Sequence, residues 1–374
     1  MFPSAPLISL LQLAYLATTC TADIEGPPNG GPIILRRSGG FATGGEVLAS
    51  PDDPGQTLSC GHGYVEFFTP WRVRRTSLVM WHSSSTQHFQ NRWDGGDGFK
   101  DMFLRREYPV FLWDGPGIGR ANYGCEEVTY PTCYDDIETF HSLNFGPLST
   151  FNPSGGGVVL AQGKLWWSDS QFPVDDLAAW NQAARARYQD LNADEDLQLQ
   201  SQAAAVAADS GRLGTDIVYL THSHAGPGAL MAVMKSKKEN IKGVVLYETS
   251  GVVYPEGAQI NTTRNPLFVP VEDFQKLAKL KTVQFVWGDH RVGNLDSRIE
   301  QFQAVTGSYI VADLINKLGG NAEVIVLPLT DVGKGNTNVP FADMNNAKVA
   351  DLLDKLLEKN KLDEYASKPD LWGC

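Results

Sequence analysis

A set of unbroken apolar runs constrains this chain more than any other feature. Ser77–His82, Pro109–Asp114, Ile217–Leu220, Gly243–Tyr247, Thr282–Trp287 and Ala322–Leu327 are each mostly hydrophobic and rich in β-branched and aromatic residues. A strand with one wet face alternates, whereas a strand buried on both faces reads as a continuous run. Helical stretches lie between them, at about Phe99–Glu107, Asp176–Leu191, Asp196–Ser210 and Asn345–Lys359; in the second, Leu177, Trp180, Ala184 and Tyr188 recur at spacings of three and four. The pattern predicts an α/β fold with a mostly parallel central sheet and helices on both faces. Ahead of it, Gly39–Gly45 and Cys60–Pro70 contain short alternating strands, as in Gly63-Tyr-Val-Glu-Phe-Phe-Thr69, which suit an antiparallel edge.

Residues of about 120–175 break the alternation. They are rich in aromatics, Pro, Ser and Gly and hold two cysteines. An irregular segment of this length inside a compact domain is expected to be a lid or binding insertion. Trp166, Trp167 and Phe172 there would suit an apolar substrate, and would equally suit packing of the insertion onto the sheet. The glycines of Gly115-Pro-Gly-Ile-Gly119 lack the third-glycine spacing and the helix start of a dinucleotide site, and no cofactor is expected.

Length and charge narrow the function classes. The 374 residues fit a single domain, expected over 23–374, with a hydrophobic fraction of 42%. A net charge of −12 argues against nucleic acid or an anionic membrane surface and favours a small, neutral or weakly charged substrate. No apolar stretch is long enough for a membrane span. The sequence carries no reading of oligomeric state.

The amino terminus reads as a secretory signal peptide over residues 1–22. Leu7–Ala17 is the apolar run, and Cys20-Thr21-Ala22 places small residues for cleavage before Asp23, although no Lys or Arg precedes the run. Export would leave Cys60, Cys125, Cys133 and Cys374, enough for two disulfides in any of three pairings. Cys125–Cys133, which closes a short loop, is the preferred pair, with Cys60–Cys374 as the other. No zinc-like spacing occurs and no metal is expected. Asn261 begins a glycosylation sequon, Asn261-Thr262-Thr263.

The chemistry concentrates in Asp216-Ile-Val-Tyr-Leu-Thr-His-Ser-His-Ala-Gly-Pro-Gly228: a buried strand, a turn at Ser223 and a helix of small residues. That is the local plan of a nucleophile elbow, with Thr221 and Ala225 where glycines usually stand. The same residues also suit a serine that merely caps a crossover helix. An acyl-transfer serine needs a base, an orienting acid and an oxyanion hole. Glu248 closes the strand after the elbow and Asp289 closes the next, in Trp287-Gly-Asp-His290, so either could be the acid. Backbone N–H groups of His224 and of the Ser83–Ser85 loop after the early strand would form the oxyanion hole.

Taken as a set, several stretches resemble a secreted esterase-like family of α/β-hydrolases found in bacteria and fungi. They are Trp81-His82, Phe111–Ala121 with its Trp113-Asp-Gly-Pro-Gly-Ile-Gly119, Gln171-Phe-Pro173, Leu197-Gln-Leu-Gln-Ser201, Thr221–Gly226, Leu246-Tyr-Glu248 and Gly335–Asn346. The likeness spans about residues 75–355. It implies an α/β-hydrolase fold and hydrolysis of an ester or lactone, with Ser223 as nucleophile, Glu248 as acid, and Ser84 and His224 as oxyanion donors. The departure is the base: the family has His where this chain has Asn338, in Gly335-Asn-Thr-Asn338. An amide cannot accept a proton at neutral pH. His290 and His224 are the candidate substitute bases, while His82, His88 and His222 read as structural. The alternatives are a non-hydrolytic isomerase, lyase or cyclase on the same scaffold, with His224 or Glu248 moving the proton, and a catalytically silent binding protein.

Overall fold

A computed structural model describes residues 30–122, 125, 136–146, 166–188, 194–260, 266–291 and 298–367. The signal-peptide segment, most of the expected insertion, Cys133, Cys374 and the sequon at Asn261 lie outside the described residues. The described residues from Ile33 onward form one compact unit. Among the described residues no helix is long and apolar enough to cross a membrane.

The strands of the described residues are β1 (Leu35–Ala49), β2 (Thr57–Pro70), β3 (Thr76–His82), β4 (Val110–Asp114), β5 (Asp216–His222), β6 (Ile241–Tyr247), β7 (Val253–Pro255), β8 (Leu267–Val269), β9 (Thr282–Trp287) and β10 (Ala322–Val326). Eight of them form one sheet in the order β1-β2-β4-β3-β5-β6-β9-β10, and β7 and β8 pair separately. β1 with β2, and β2 with β4, run antiparallel; every pairing from β4 to β10 is parallel. All residues of β3, β4, β5 and β9 are buried, which is why they read as unbroken apolar runs.

Alternate residues of each strand feed opposite faces. Val79, Trp81, Ile217 and Tyr219 enter one hydrophobic core and Leu78, Met80, Val218 and Leu220 the other. Trp81 meets Trp113 and Tyr219 edge-on at ring separations of 6.3 and 6.0 Å. Burying each such side chain contributes on the order of 1.5–3 kcal/mol, so the centre of the sheet is the rigid base from which the loops at its carboxyl edge project.

Several expectations are corrected. The antiparallel edge is a long hairpin rather than short strands, and it passes through left-handed backbone at Gly44 and Gly45, whose φ values are +78° and +75°. A Cβ on Gly44 would come within 2.8 Å of the Ala203 carbonyl oxygen, on the helix Asp194–Asp209, so only glycine allows that approach. The helix expected to run to residue 191 covers only Leu177–Arg185. It starts where the Asp176 carboxylate accepts from the Ala178 and Ala179 N–H groups. It ends because the chain turns to lie along the loop after β3, where Tyr188 N–H donates to Ser84 O at 2.5 Å. The disulfide joins Cys60 to Cys125, not to Cys374, and so excludes the preferred Cys125–Cys133 pair; the two Cα atoms are 5.3 Å apart. The register of the β2–β4 pair puts the loop after β4 beside β2, a proximity that the sequence does not display. Trp166 and Phe172 are buried, stack on each other at 5.2 Å against Phe145, and join the core that holds Leu78, Met80, Val218 and Leu220, so they pack the insertion onto the sheet.

Candidate active site

The turn after β5 has the geometry of a strained elbow. Ser223 sits at φ +54°, between the strand and the helix Ala225–Lys235. A left-handed backbone is unfavourable for a residue with a Cβ, and here it is held from both sides. Ser223 N–H donates to Tyr247 O at 3.2 Å, and Ser223 O accepts from Gly226 N–H at 3.0 Å and Ser250 N–H at 3.2 Å. The two degenerate positions work by different means. Thr221 is buried and its hydroxyl donates to Val245 O at 3.3 Å, tying β5 to β6. Gly226 supplies the close packing, since a Cβ there would collide with Thr249. Ser223 stands half-buried next to exposed His224, and its Oγ lies 3.3 Å from His224 Nδ1.

Two other non-glycine residues with left-handed backbones, Glu248 at φ +49° and His290 at φ +58°, follow the neighbouring strands β6 and β9. Strain thus gathers at the carboxyl edge of three adjacent strands, where ligands of parallel sheets bind. Glu248 is fully inside. Its Oε1 accepts from Gly288 N–H, and its Oε2 lies 2.6 Å from Arg291 Nη2. Burial pushes the carboxyl up to about 7, against the pull of Arg291 and the Gly288 N–H. The other acid, Asp289, is committed to the backbone. It accepts from His290 N–H at 2.7 Å and from Gly335 N–H at 2.9 Å, and so fastens the loop after β9 to the loop carrying Asn338.

His290 turns its ring to the insertion. It stacks on Trp167 at 4.1 Å with 12° between planes, and its Nε2 lies 2.8 Å from Asp169 Oδ1. Asp169, Asp289 and His290 bring one donor atom each within 4.8 Å of one another, a set that could hold a cation. Its hydrogen bonds are already made, to Gly335 N–H and between His290 and Asp169.

Asn338, expected from the resemblance to stand where a base would, faces a histidine. Its carbonyl oxygen lies 2.9 Å, and its Oδ1 2.8 Å, from His222 Nε2. Two acceptors there assign the proton to His222 Nε2. His222 stacks on His82 at 4.1 Å. His82 Nδ1 accepts from the Ser84 and Ser85 N–H groups, both at 3.0 Å, so its Nε2 carries the proton and donates to His88 Nδ1 at 3.0 Å. Burial is the main reason that all three imidazoles are held neutral: His222 falls to about 4, and His82 and His88 fall well below their ordinary value. The charge of Arg187 also lowers each of the three, and that of Arg291 lowers His222. The Ser84 N–H, an expected oxyanion donor, is therefore engaged by His82 in this structure.

Two important residues escaped the sequence reading. Arg291 is buried, with a side-chain exposure of 3%, and nothing in the sequence distinguishes it from a surface arginine. Asp343 is wholly buried beneath the late loop. It accepts from Thr337 N–H and Oγ1 at 2.7 and 2.8 Å, Trp93 Nε1 at 2.9 Å and Asn336 Nδ2 at 3.1 Å. Burial nevertheless lifts its carboxyl to about 6. The polar run Asp343-Met-Asn-Asn346 between apolar Phe341–Ala342 and the last helix was the available signal.

No family model matches the chain. No curated protein matches its sequence. Solved structures do resemble it. A structure described as a novel bacterial esterase superposes with a TM-score of 0.66 at 21% identity, covering 88% of this chain and 98% of the esterase. Looser matches are an esterase of Pyrobaculum calidifontis (TM-score 0.38, 11% identity, 88% of this chain and 86% of that one) and carboxyl esterase 2 of the mycorrhizal fungus Tuber melanosporum (TM-score 0.38, 12% identity, 96% and 99%). The eight-stranded, mostly parallel sheet with its crossover helices, superposable on the bacterial esterase, is the α/β-hydrolase fold.

Proposed function

We propose that this protein is a serine hydrolase for a small, moderately apolar ester or lactone, with Ser223 as nucleophile and His224 in place of the missing base. The observation that carries the reading is the contact of 3.3 Å between Ser223 Oγ and His224 Nδ1 on the left-handed elbow. In this reading His224 Nδ1 takes the hydroxyl proton as Oγ adds to the ester carbonyl. The same proton passes to the departing alcohol oxygen as the C–O bond breaks, and water then cleaves the acyl-serine. Glu248 does not orient this base, because its carboxylate is held by Arg291 and Gly288 N–H. Without an orienting acid the dyad is a modest catalyst, by the logic of triads that have lost a member. Action outside the cell belongs to the same proposal, and the Cys60–Cys125 disulfide supports it.

Glu248 favours a second reading. A buried carboxyl at about 7 is poised to give and take protons at neutral pH. It would serve an isomerisation or cyclisation that forms no acyl-enzyme.

Labelling by a fluorophosphonate separates the two. The wild type is expected to label, Ser223→Ala to be silent, and His224→Gln to label at least tenfold more slowly. Equal rates for wild type and His224→Gln would remove His224 from the mechanism. A wild type that stays unlabelled would end the hydrolase reading and leave Glu248 chemistry or silent binding.

A further inference from the structure

Arg291 is the least explained charge in the molecule. It follows β9 by four residues, at the carboxyl edge of the sheet, and only 4% of its surface is exposed. Glu248 takes one nitrogen, Nη2, at 2.6 Å. Among the described residues, Nε and Nη1 are buried and have no hydrogen-bond acceptor. A guanidinium carries five donors in a planar fork and keeps its charge at any physiological pH. Burying such a group half-paired is costly, and proteins rarely leave it so. An arginine maintained only to neutralise Glu248 would not need its other edge held out of water.

The surroundings point the same way. In a chain with a net charge of −12, the carboxyl facing Arg291 is itself partly neutralised by burial. The other buried acid nearby, Asp343, already accepts four hydrogen bonds. His222, which feels the Arg291 charge, is a neutral imidazole or a cation and supplies no negative charge. Nη1 and the second N–H of Nη2 form the end-on fork of the guanidinium, which matches a carboxylate accepting through two oxygens in one plane.

We propose that Arg291 is the recognition residue for a carboxylate on the substrate, so that the site beside Ser223 takes a small carboxylate-bearing molecule rather than a wholly neutral one. This deepens the reading of the same site as the place of chemistry and rests on it for the word substrate; the binding itself does not depend on how Ser223 is activated. A half-ester of a dicarboxylic acid, or a lactone bearing a free acid, is the class that satisfies both. It refines the neutral or weakly charged substrate expected from the overall acidity, because the relevant charge is local.

The test is equilibrium binding of benzoate, acetate and succinate, each against its amide, followed by ligand-observed NMR on Ser223→Ala protein so that turnover cannot interfere. At least one acid is expected to bind tenfold or more tightly than its amide. Arg291→Lys, which keeps the charge but loses the fork, is expected to lose most of that preference. Arg291→Met alone strands Glu248, so the double variant Arg291→Met/Glu248→Met, which removes the pair together, is the folded control and is expected to bind acid and amide alike. Acids that bind no better than amides, or a preference that survives in the double variant, would overturn the assignment. A preference for acids in a protein that never labels with fluorophosphonate would leave the carboxylate site standing and remove only the hydrolase.

Discussion

Asn338 accepts twice from His222, through its side chain at 2.8 Å and its own carbonyl at 2.9 Å. The residue that would activate a neighbouring serine in the resembling family is here the second anchor of a histidine stack. The acid that would orient it, Glu248, is held by Arg291 at 2.6 Å. Both halves of the usual relay therefore have other partners.

Placing a histidine at 338, as the resemblance suggests, should accomplish little by itself. In Asn338→His the new imidazole meets His222 on one side and finds Glu248 occupied, so fluorophosphonate labelling is expected to rise less than tenfold over wild type. Joining it to Arg291→Met releases Glu248 but also removes the charge that pulls its carboxyl down, so a further gain of at least tenfold is expected only at alkaline pH, where the carboxyl ionises. A large gain in the single variant would mean that Arg291 yields Glu248 readily.

Glu248 also makes a pH-dependent contribution to stability. Its folded value of about 7 lies above its ordinary 4.5. The folded protein thus holds this proton more tightly than the unfolded chain, so the contribution is full below pH 4.5 and fades as pH rises through 7. The buried histidines act in the opposite sense, since their values are lowered, and so the raw pH profile mixes the two. The difference between Glu248→Gln and wild type isolates the carboxyl. In urea denaturation the variant is expected to gain on the wild type as pH rises from 5 to 8, by on the order of 3 kcal/mol, because each tenfold change in proton affinity is worth about 1.4 kcal/mol. A flat difference would place the Glu248 proton elsewhere.

Asp343 holds the late loop from below. Asparagine has one acceptor oxygen for four donors and turns its own N–H groups toward the rest. Asp343→Asn is expected to cost about 2–4 kcal/mol, since donors left unpaired in the core cost about 1–3 kcal/mol each. The loss should be accompanied by faster amide exchange at Thr337 and Val339, whose N–H groups are fixed by Asp343 and by Thr337 Oγ1. Full protection at both amides in a folded variant would show that other contacts hold the loop.

The sheet was legible because a strand buried on both faces has no polar positions to blur it. The elbow was legible because strand, serine and small residues are consecutive in the chain. Glu248, Asp289, His290 and Asn338 could be placed at strand ends and on the late loop, but the sequence could not say what each one touches. Asp289 and Glu248 look alike as acids after successive strands. Only the fold shows one accepting two backbone N–H groups and the other facing a buried arginine. The disulfide was misread because loop closure was judged along the chain, whereas β2 and the loop after β4 meet through sheet pairing. The helix after Asp176 was overextended because Tyr188 fits an apolar helical stripe, and its backbone serves the loop at Ser84 instead.

The hairpin that begins the sheet has one further consequence. β1 is the outermost strand and spans Leu35–Ala49, long enough to template a second copy by edge-to-edge pairing, the route by which many sheet proteins aggregate. The ladder to β2 runs unshifted past its left-handed glycines, Gly44 opposite His62 and Glu46 opposite Cys60, and Arg36 and Arg37 put charge near its start. That charge guards the border against self-assembly, and Arg36→Val/Arg37→Val would turn its start into an adhesive edge.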